Sequence, residues 1–536
     1  MTILRRIGVV AGAAAMLGVG ACNPSLDITD PNAPDVLRPN ASPQDVENLA
    51  ISSVHSWYIG ATDYEPWLFM QVTSDVSTCN YGNFGMRFNN LEPRIAYGNN
   101  SAGGDRGVTE SPWNSSYSSL GAANDAIRGF NAGLKFAGGQ AESDKFKRLA
   151  QFTQAAALTQ LALIFDKAFI IDETTDPQVP PPLSPYTAVS ANAVAKWAAL
   201  ATAEAGKNDT FDPTTFPMTI GPLTSSVIAR IANTMAALTL AYTPRNAAEA
   251  ATVDWAKVAA YAANGIGTGN AGAAFDVSVI GDFSVWYSGL TELGAGLSWT
   301  RTDMRVINRM DPNSPAKFNG TIPPQGTSAD ARFTSDYAYA GKVIGDPSRG
   351  VYMQSPYYHT RYFSYSSDGD DELGPTPWML AAESDLVRAE ALIRTNGDLT
   401  LASALINKTR VGRGNLTPAA AADGSAKLLG YIDYERDIEL VNTNGYTLFQ
   451  RRHIDGLQTG TVHHLPIPAK ELETLGLPIY TFGGAGKEQY VAPNSIVVSA
   501  NASLYGTSTK SLETPSGQLL TLHYPGTRQP PRSARQ

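Results

Sequence analysis

The sequence predicts a mainly α-helical protein built from tetratricopeptide-like helical hairpins, with one long loop-rich insertion. Three observations support this fold class. Apolar residues recur three and four positions apart in several long segments, which is the spacing of a helix with one buried face. Turn and capping residues divide these segments into antiparallel pairs. The stretch 267–377 lacks such spacing and is rich in Gly, Ser, Asn, Asp and Tyr.

The N-terminus has the pattern of a secretory signal peptide, which we place at residues 1–21. Arg5 and Arg6 precede an apolar run that ends in small residues before Cys22. This run is too short to span a bilayer. The sequence Val19-Gly20-Ala21-Cys22 resembles a lipobox, so we expect Cys22 to become the lipid-bearing N-terminus. The alternative is an ordinary signal peptide that is cut nearby, with Cys22 incidental.

The rest of the chain is interpreted as a spacer, one large domain and a tail. The segment 22–45 is rich in Pro and Asp, which suits an extended spacer. We place the helical domain at 46–524 and a flexible tail at 525–536. Cys79 would have no intrachain partner, so we expect stability to come from core burial. The formal charge of −9 gives no indication of a nucleic-acid partner.

The first predicted helices follow from apolar stripes. One covers Phe146 to Phe165, and another runs from Val227 to Tyr242 and ends before Pro244, because proline cannot continue a helix. A third begins at Trp255, where Asp254 or Thr252 supplies a cap. We expect the second and third of these helices to form a hairpin.

A further hairpin is predicted near the middle of the C-terminal half. Its helices are Trp378 to Arg394 and Leu401 to Arg410, joined by the turn Asn396-Gly397-Asp398. The pairs differ in length and show no constant period, which predicts a degenerate solenoid rather than a regular array. A structureless loop as long as 267–377 is unusual in a compact domain, so we expect an elaborated, largely irregular subdomain packed on the helices.

Two glycine-rich motifs resemble nucleotide-binding loops but lack the required context. The stretch Gly267–Gly272 follows a helix, whereas dinucleotide binding needs a preceding strand. In Gly483-Gly484-Ala485-Gly486-Lys487 the next residue is Glu488, where a phosphate loop needs a hydroxyl. We interpret both as surface turns and predict no cofactor.

No motif in the sequence predicts catalysis or a metal site. His463 and His464 are adjacent on an extended stretch and point to opposite faces. The acidic cluster at Asp368, Asp370, Asp371 and Glu372 could bind calcium, but it lacks a full calcium-loop pattern and is interpreted as a solvated turn. A glycosidase carboxylate pair has no fixed spacing and is left open.

Several blocks resemble those of the SusD/RagB family and occur in that family's order along nearly the whole mature chain. The lipobox comes first. The later blocks are Trp113–Tyr117 with Ala123–Ile127; Lys147–Glu173; Trp378–Arg394 with Arg388, Ala389 and Glu390; Asn407 and Arg410; Glu435-Arg436 to Glu439-Leu440 with Gly445 and Arg451-Arg452; and Leu465–Pro468 with Glu471. The chain departs from the family pattern at Gly445–Gln450. We interpret Arg388, Glu390, Arg410, Glu435 and Arg436 as ion pairs and caps that hold helices together.

The resemblance implies a SusD-like, mainly helical protein, lipid-anchored on the outer face of the outer membrane. It would cap a SusC-like, TonB-dependent barrel transporter and deliver a nutrient to it without cleaving it. Family members bind glycans, and some bind peptides. The alternatives are a surface-anchored hydrolase such as a glycosidase, a peptide-binding RagB-like subunit and a purely structural surface protein.

A sugar site needs flat aromatic surfaces beside planar polar groups on accessible loops. Two non-helical regions offer that composition. We predict ligand binding by Tyr81, Phe84 and Arg87 in the first region, and by Trp286, Tyr287, Trp299, Arg301 and Asp303 in the second. The alternative is that the tryptophans anchor the irregular subdomain to the helices.

Overall fold

The computed structural model describes residues 42–489, apart from 177–178, 180, 270, 282–285, 287, 291–296, 298, 344–346, 363–374 and 445. The predictions for the signal peptide, Cys22, Tyr287, the acidic cluster at 368–372 and the tail at 525–536 lie outside the described residues. The described residues belong to one unit, Ser42–Gln536.

Helices dominate the described part of the chain, as predicted. The α-helices are α1 (Pro43–Thr62), α2 (Tyr64–Thr73), α3 (Met86–Asn89), α4 (Gly107–Asn131), α5 (Gly139–Ile164), α6 (Tyr186–Glu204), α7 (Ser225–Tyr242), α8 (Ala247–Ala250), α9 (Trp255–Ala263), α10 (Met304–Met310), α11 (Arg332–Ser335), α12 (Ala381–Arg394), α13 (Leu399–Arg410), α14 (Gly424–Glu439), α15 (Thr447–Arg452) and α16 (Ala469–Thr474).

The strands are short and form four antiparallel pairs among the described residues. Each pair joins segments that are separated along the chain. The pairs are β1 (Ser77–Thr78) with β5 (Arg301–Thr302), β2 (Lys167–Phe169) with β3 (Leu183–Pro185), β4 (Val277–Ile280) with β8 (Pro375–Met379), and β6 (Tyr337–Tyr339) with β7 (Tyr357–His359).

The long helices pack in chain order, each against the next. Helix α1 packs on α4, and the series continues through α5, α6, α7, α9, α12, α13 and α14. The α7–α9 and α12–α13 hairpins were both predicted. Asp254 caps α9 through Lys257 N, and Asp398 caps α13 through the N–H groups of Thr400 and Leu401. Both residues therefore begin helices as the sequence indicated.

Helix α12 begins later than predicted. Trp378 lies in β8, and the helix starts at Ala381. Pro375 and Pro377 cannot donate a backbone hydrogen bond, which disfavours a helix there. The segment instead pairs with β4 at the far end of the loop-rich insertion. Met304, Ile307 and Phe333 of the insertion are buried in a separate apolar cluster, which also includes Val76, Ile438 and Val441 from outside the insertion.

Buried ion pairs join the helices of the C-terminal half, as predicted. The Glu390 carboxylate on α12 contacts Arg436 of α14 at 2.8 Å and Arg394 at 2.7 Å. Glu435 contacts Arg332 at 2.7 Å and Arg410 at 3.7 Å. Separately, Arg388 donates to the Thr268 carbonyl at 2.7 Å. Each of these groups has a partner within the protein, which supports a structural role.

Two fully buried arginines, which we call the arginine hub, cap helix C-termini. Arg452 donates to four carbonyls, those of Leu163, Tyr242, Pro244 and His463, at 2.6 to 3.2 Å. Arg245 donates to the carbonyls of Ala162, Phe165 and Thr243. The last carbonyls of a helix have no partner within the helix. The hub supplies these donors where α5 and α7 end.

Candidate functional site

Four aromatic side chains meet at one place in the fold, and we call them the aromatic cluster: Tyr64, Tyr81, Phe84 and Trp299. The rings of Tyr64 and Phe84 stack with centroids 4.7 Å apart and an interplanar angle of 18°. Trp299 lies 6.2 Å from Phe84 at 27°, and 5.5 Å from Tyr81 at 42°. Three of the residues predicted for the site are thus brought together.

The β1–β5 pair explains why these rings meet. Tyr81 and Phe84 follow β1, and Trp299 lies two residues before β5. The antiparallel register places Thr78 opposite Arg301, so the two predicted regions become neighbours. Tyr64 enters from the first turn of α2, whose N-cap is Asp63.

Phe84 has a backbone conformation that phenylalanine seldom adopts. Its φ and ψ angles are 53° and 28°, in the left-handed region, and Gly85 follows with a φ of 67°. A non-glycine residue pays about 1–2 kcal/mol for this conformation. Such strain persists only where surrounding contacts hold it, and it is concentrated at binding sites. Here it brings the ring within 4.7 Å of the Tyr64 ring and 6.2 Å of the Trp299 ring.

The four rings of the cluster differ in how far their side chains are exposed to solvent. Trp299 is 4% exposed and packs with Trp67, Leu68 and Leu290. Tyr64, Tyr81 and Phe84 are half-buried. Trp299 therefore supports the other three rings, and they supply the surface that a ligand can reach.

Arg301 is a buried charge that interacts with Tyr81 of the aromatic cluster. It is 5% exposed and donates to the carbonyls of Thr300 at 2.8 Å and Leu297 at 3.4 Å. Burial lowers the pKa of its guanidinium to about 10, while Cys79, Tyr81 and Tyr358 act in the opposite direction. Arg301 therefore places a buried positive charge near two tyrosines.

Cys79 is a buried thiol in the apolar group that packs around Trp299. Burial raises its pKa to about 12. A thiol with this pKa is fully protonated at neutral pH and is a poor nucleophile.

Trp286 lies elsewhere, in the main helical core. It is 5% exposed, and its ring lies 4.7 Å from His55, 5.2 Å from Tyr58 and 5.3 Å from Phe216. This is the anchoring position that the sequence left as the alternative. The predicted site residue Trp286 is therefore not brought to the aromatic cluster.

Asp303 has a local structural task. It is 2% exposed, caps α10 through Arg305 N at 2.8 Å, and pairs with the Arg305 guanidinium at 3.2 Å. Its carboxylate is directed to the helix it caps, and we do not include it in the candidate site.

Arg87 and Arg349 lie at the edge of the cluster. Arg87 is half-buried on α3, and its backbone N–H donates to the Tyr81 carbonyl at 3.0 Å. Arg349 is exposed on the 3-10 turn Pro347–Arg349. Burial raises the pKa of the Tyr81 phenol, and the charges of Arg301 and Arg349 oppose that rise. Arg87 is therefore joined to Tyr81 through the backbone, and the charge of Arg349 acts on the Tyr81 phenol.

Sequence reasoning missed Tyr64, Tyr358 and Arg349. Tyr64 is the first residue of an apolar segment, which is typical of a buried helix. Tyr358 alternates with buried Tyr357 and His359 on β7, a pattern that becomes informative only once the strand is known. Arg349 lies inside the long insertion and has no local signal.

The phosphate-loop-like turn closes on one of its own side chains. The Glu488 carboxylate accepts hydrogen bonds from Gly460 N at 2.8 Å and Gly486 N at 3.1 Å. The space that a phosphate would use is therefore taken by a carboxylate. The two histidines that follow one another also have separate partners, since His463 meets Gln489 and His464 meets Arg245.

Within the described ranges, no set of three or more His, Cys, Asp and Glu side chains is arranged to hold a metal ion. Within those same ranges, every helix is too short or too polar to cross a bilayer.

Comparison with solved structures identifies the fold. A SusD-like carbohydrate-binding protein of Bacteroides fragilis matches with a TM-score of 0.53 and 16% identity, over 76% of this chain and 85% of its own. A SusD superfamily protein of Bacteroides vulgatus matches with 0.56 and 16%, over 80% and 96%. One of Parabacteroides distasonis matches with 0.57 and 12%, over 81% and 98%.

No family model matches the sequence, and no curated protein matches it. At these identities the structural matches show the fold alone. The chain has the fold of the SusD-like proteins, which confirms the fold that the sequence resemblance implied.

Proposed function

We propose that this chain is a SusD-like, lipid-anchored surface protein that binds an oligosaccharide or polysaccharide at the aromatic cluster and delivers it to a SusC-like, TonB-dependent outer-membrane transporter. It would bind the glycan without cleaving it. The observation that carries the proposal is the arrangement of three half-buried rings, Tyr64, Tyr81 and Phe84, on the buried Trp299.

The chemistry of sugars favours such a surface. A pyranose ring has an apolar face, which stacks on an aromatic ring, and a rim of hydroxyls, which needs hydrogen-bonding groups nearby. The cluster offers tilted rings at different angles, and the phenol groups of Tyr64 and Tyr81 add polar edges. A SusD-like neighbour is itself described as a carbohydrate-binding protein, which supports the same class of ligand.

Titration of the mature protein with a panel of oligosaccharides tests binding. Phe84→Ala removes a presented ring, and we expect it to weaken binding by about 1–3 kcal/mol. Tyr261→Ala is the matched control, because Tyr261 is a half-buried aromatic on α9 that takes no part in the cluster. Equal affinity of both variants for the bound glycan contradicts the proposed site. Tight binding of a peptide pool in place of glycans favours the RagB-like alternative.

Product analysis separates binding from hydrolysis. The protein is incubated with each bound glycan, and reducing ends are measured over time. We expect no increase above a heat-denatured sample. If new reducing ends form, and the activity that forms them co-purifies with the protein, the glycosidase alternative is supported.

The anchor and the partner are tested in cells. Cys22→Ser should release the protein from the outer membrane, because two or more acyl chains hold a protein far more firmly than an unmodified N-terminus. The wild-type protein should co-purify with a barrel transporter in mild detergent. A Cys22→Ser protein that stays in the membrane fraction contradicts the anchor, and elution of the wild type alone contradicts the partner.

A further inference from the structure

The edge of the aromatic cluster carries two arginines whose charge no described carboxylate neutralises. In the part of the chain that the structure describes, the guanidinium groups of Arg87 and Arg349 form no ion pair and no hydrogen bond. Both side chains reach solvent, Arg87 as a half-buried and Arg349 as an exposed residue. An arginine in this state is available to a ligand.

Two other arginines of the insertion, Arg305 and Arg332, are paired with carboxylates. Arg305 contacts Glu92 at 2.5 Å, Asp303 at 3.2 Å and Asp75 at 3.7 Å. Arg332 contacts Asp330 at 2.8 Å and Glu435 at 2.7 Å. Arg305 and Arg332 are thus paired with carboxylates, whereas Arg87 and Arg349 have no carboxylate partner among the described residues.

The carboxylates that flank Tyr64 in sequence offset this charge only in part. Asp63 and Glu65 flank Tyr64 in sequence. Asp63 is engaged as a cap and accepts from Tyr64 N at 2.9 Å and from Ser111 Oγ at 3.5 Å. Burial raises the pKa of Glu65 to about 7, and the charge of Asp63 adds to the rise. Glu65 is therefore partly neutral at physiological pH.

We infer that the glycan bound at the aromatic cluster is anionic, with carboxylate or sulfate groups that Arg87 and Arg349 recognise while its rings stack on Tyr64, Tyr81 and Phe84. This inference rests on the proposed function and names its ligand class. Arginine pairs with planar carboxylate and with sulfate through parallel N–H donors. The chain as a whole has a charge of −9 and repels polyanions, so attraction must come from the local arginines.

The test uses matched polymers that differ in charge. The pairs are dextran sulfate and dextran, carboxymethyl cellulose and hydroxyethyl cellulose, and polygalacturonate and its methyl ester. Binding of the full mature protein to each immobilised polymer is measured at low and high salt. We expect tighter binding to at least one charged member than to its neutral partner, with an affinity that falls as salt rises. The sulfate and carboxylate pairs show which group is recognised.

Variants assign the effect to the two arginines. Arg87→Gln and Arg349→Gln should each lower affinity for the charged polymer about 10-fold, the size expected for a charge-assisted contact. Arg87→Lys keeps the charge and should lose less. Lys257→Gln removes an exposed cation on α9 and should leave affinity unchanged.

The outcomes separate this inference from the proposed function. Equal binding of neutral and charged polymers, absence of binding to every charged polymer, or full affinity in both arginine variants overturns the anionic ligand. If Phe84→Ala loses a neutral glycan while the arginine variants keep it, the binding site stands and the ligand class is wrong. If Phe84→Ala binds as the wild type does, the proposed site itself fails.

Discussion

The arginine hub and the aromatic cluster use the same residue types for opposite purposes. In the hub, Arg245 lies 4.0 Å from the Tyr186 ring, and Arg452 lies 4.4 Å from the Phe449 ring. Both guanidinium groups are fully buried, and backbone carbonyls fill their donor positions. At the cluster, three of the four rings are half-buried, and Arg87 and Arg349 are unpaired within the described residues. Arginine beside an aromatic ring is therefore not by itself evidence of a binding site.

Saturation of donors is what distinguishes the two regions. The hub joins α5, α7 and α15, so its hydrogen bonds stabilise the fold. At the cluster, half-buried rings and unpaired arginines can still contact a ligand, and the strained backbone of Phe84 is tolerated. We expect substitutions in the hub to change stability and substitutions at the cluster to change binding.

The largest expected effect lies in the hub. Arg452→Met keeps much of the volume but leaves four buried carbonyls without a donor, each at a cost of about 1–3 kcal/mol. Loss of a desolvated charge offsets part of this, so we expect the free energy of unfolding to fall by about 5 kcal/mol. Denaturant unfolding measures it, with Lys427→Met as a control at an exposed i,i+4 pair that should change little. A small effect of Arg452→Met would remove the contrast between the regions.

Trp286 provides the second test, because it was predicted for the site and lies in the core. Trp286→Ala should lower the free energy of unfolding by about 4 kcal/mol, the cost of a large cavity. Glycan affinity of the folded protein should stay at the wild-type value. Thermal melts and titration on the same preparation check both statements. Weakened binding without a loss of stability would show that Trp286 takes part in ligand binding.

A buried carboxyl makes the stability of the scaffold depend on pH. Burial raises the pKa of Glu383 to about 7, although Asn444 and Gln450 donate to it at 2.6 Å and 3.0 Å. Its folded-state pKa exceeds the unfolded value, so its contribution is fully present below about pH 4.5 and is lost as pH rises through 7. Glu383→Gln should therefore gain about 3 kcal/mol relative to the wild type between pH 4.5 and pH 8.

Unfolding curves at several pH values give this difference directly. The relevant quantity is the free energy of the variant minus that of the wild type, since other groups titrate in both proteins. A pH-independent difference contradicts the raised pKa. Affinity for the glycan should not follow the same pH profile, because Glu383 lies in the helical scaffold and not at the cluster.

The smallest expected effect concerns the strained residue of the cluster. Phe84→Gly and Phe84→Ala both remove the ring, and both should lose affinity to the same degree. Glycine adopts a φ of 53° at no steric cost, so Phe84→Gly should be more stable than Phe84→Ala by about 1 kcal/mol. At ordinary loop positions the alanine variant is the more stable one. If Phe84→Ala is instead the more stable variant, the left-handed conformation is absent in solution.

Local patterns in the sequence predicted the scaffold better than the site. Capping residues such as Asp254 and Asp398 act on their own helix, so short-range reasoning found them. The start of α12 was missed because β8 forms by pairing with a strand across the whole insertion. The site depends on the same kind of distant pairing, through β1 and β5.

Composition could indicate which residues suit a sugar but not where each side chain points. Tyr81, Phe84 and Trp299 were predicted for the site and lie together. Trp286 and Asp303 come from sequence of similar composition, but Trp286 is buried in the core and Asp303 caps a helix. Tyr64 was missed because a tyrosine at the start of an apolar helix is normally a core residue. Burial and hydrogen-bond partners were needed to separate these cases.

Hydrogen exchange of the backbone amides, with and without a bound glycan, tests the central claim most directly. It reports where the ligand contacts the chain without any substitution. We expect new protection at residues 79–89 and 299–302 and at the start of α2, with none in α12, α13 or the arginine hub. Protection confined to the helical hairpins, with unchanged exchange at 79–89, would contradict the assignment of binding to the aromatic cluster.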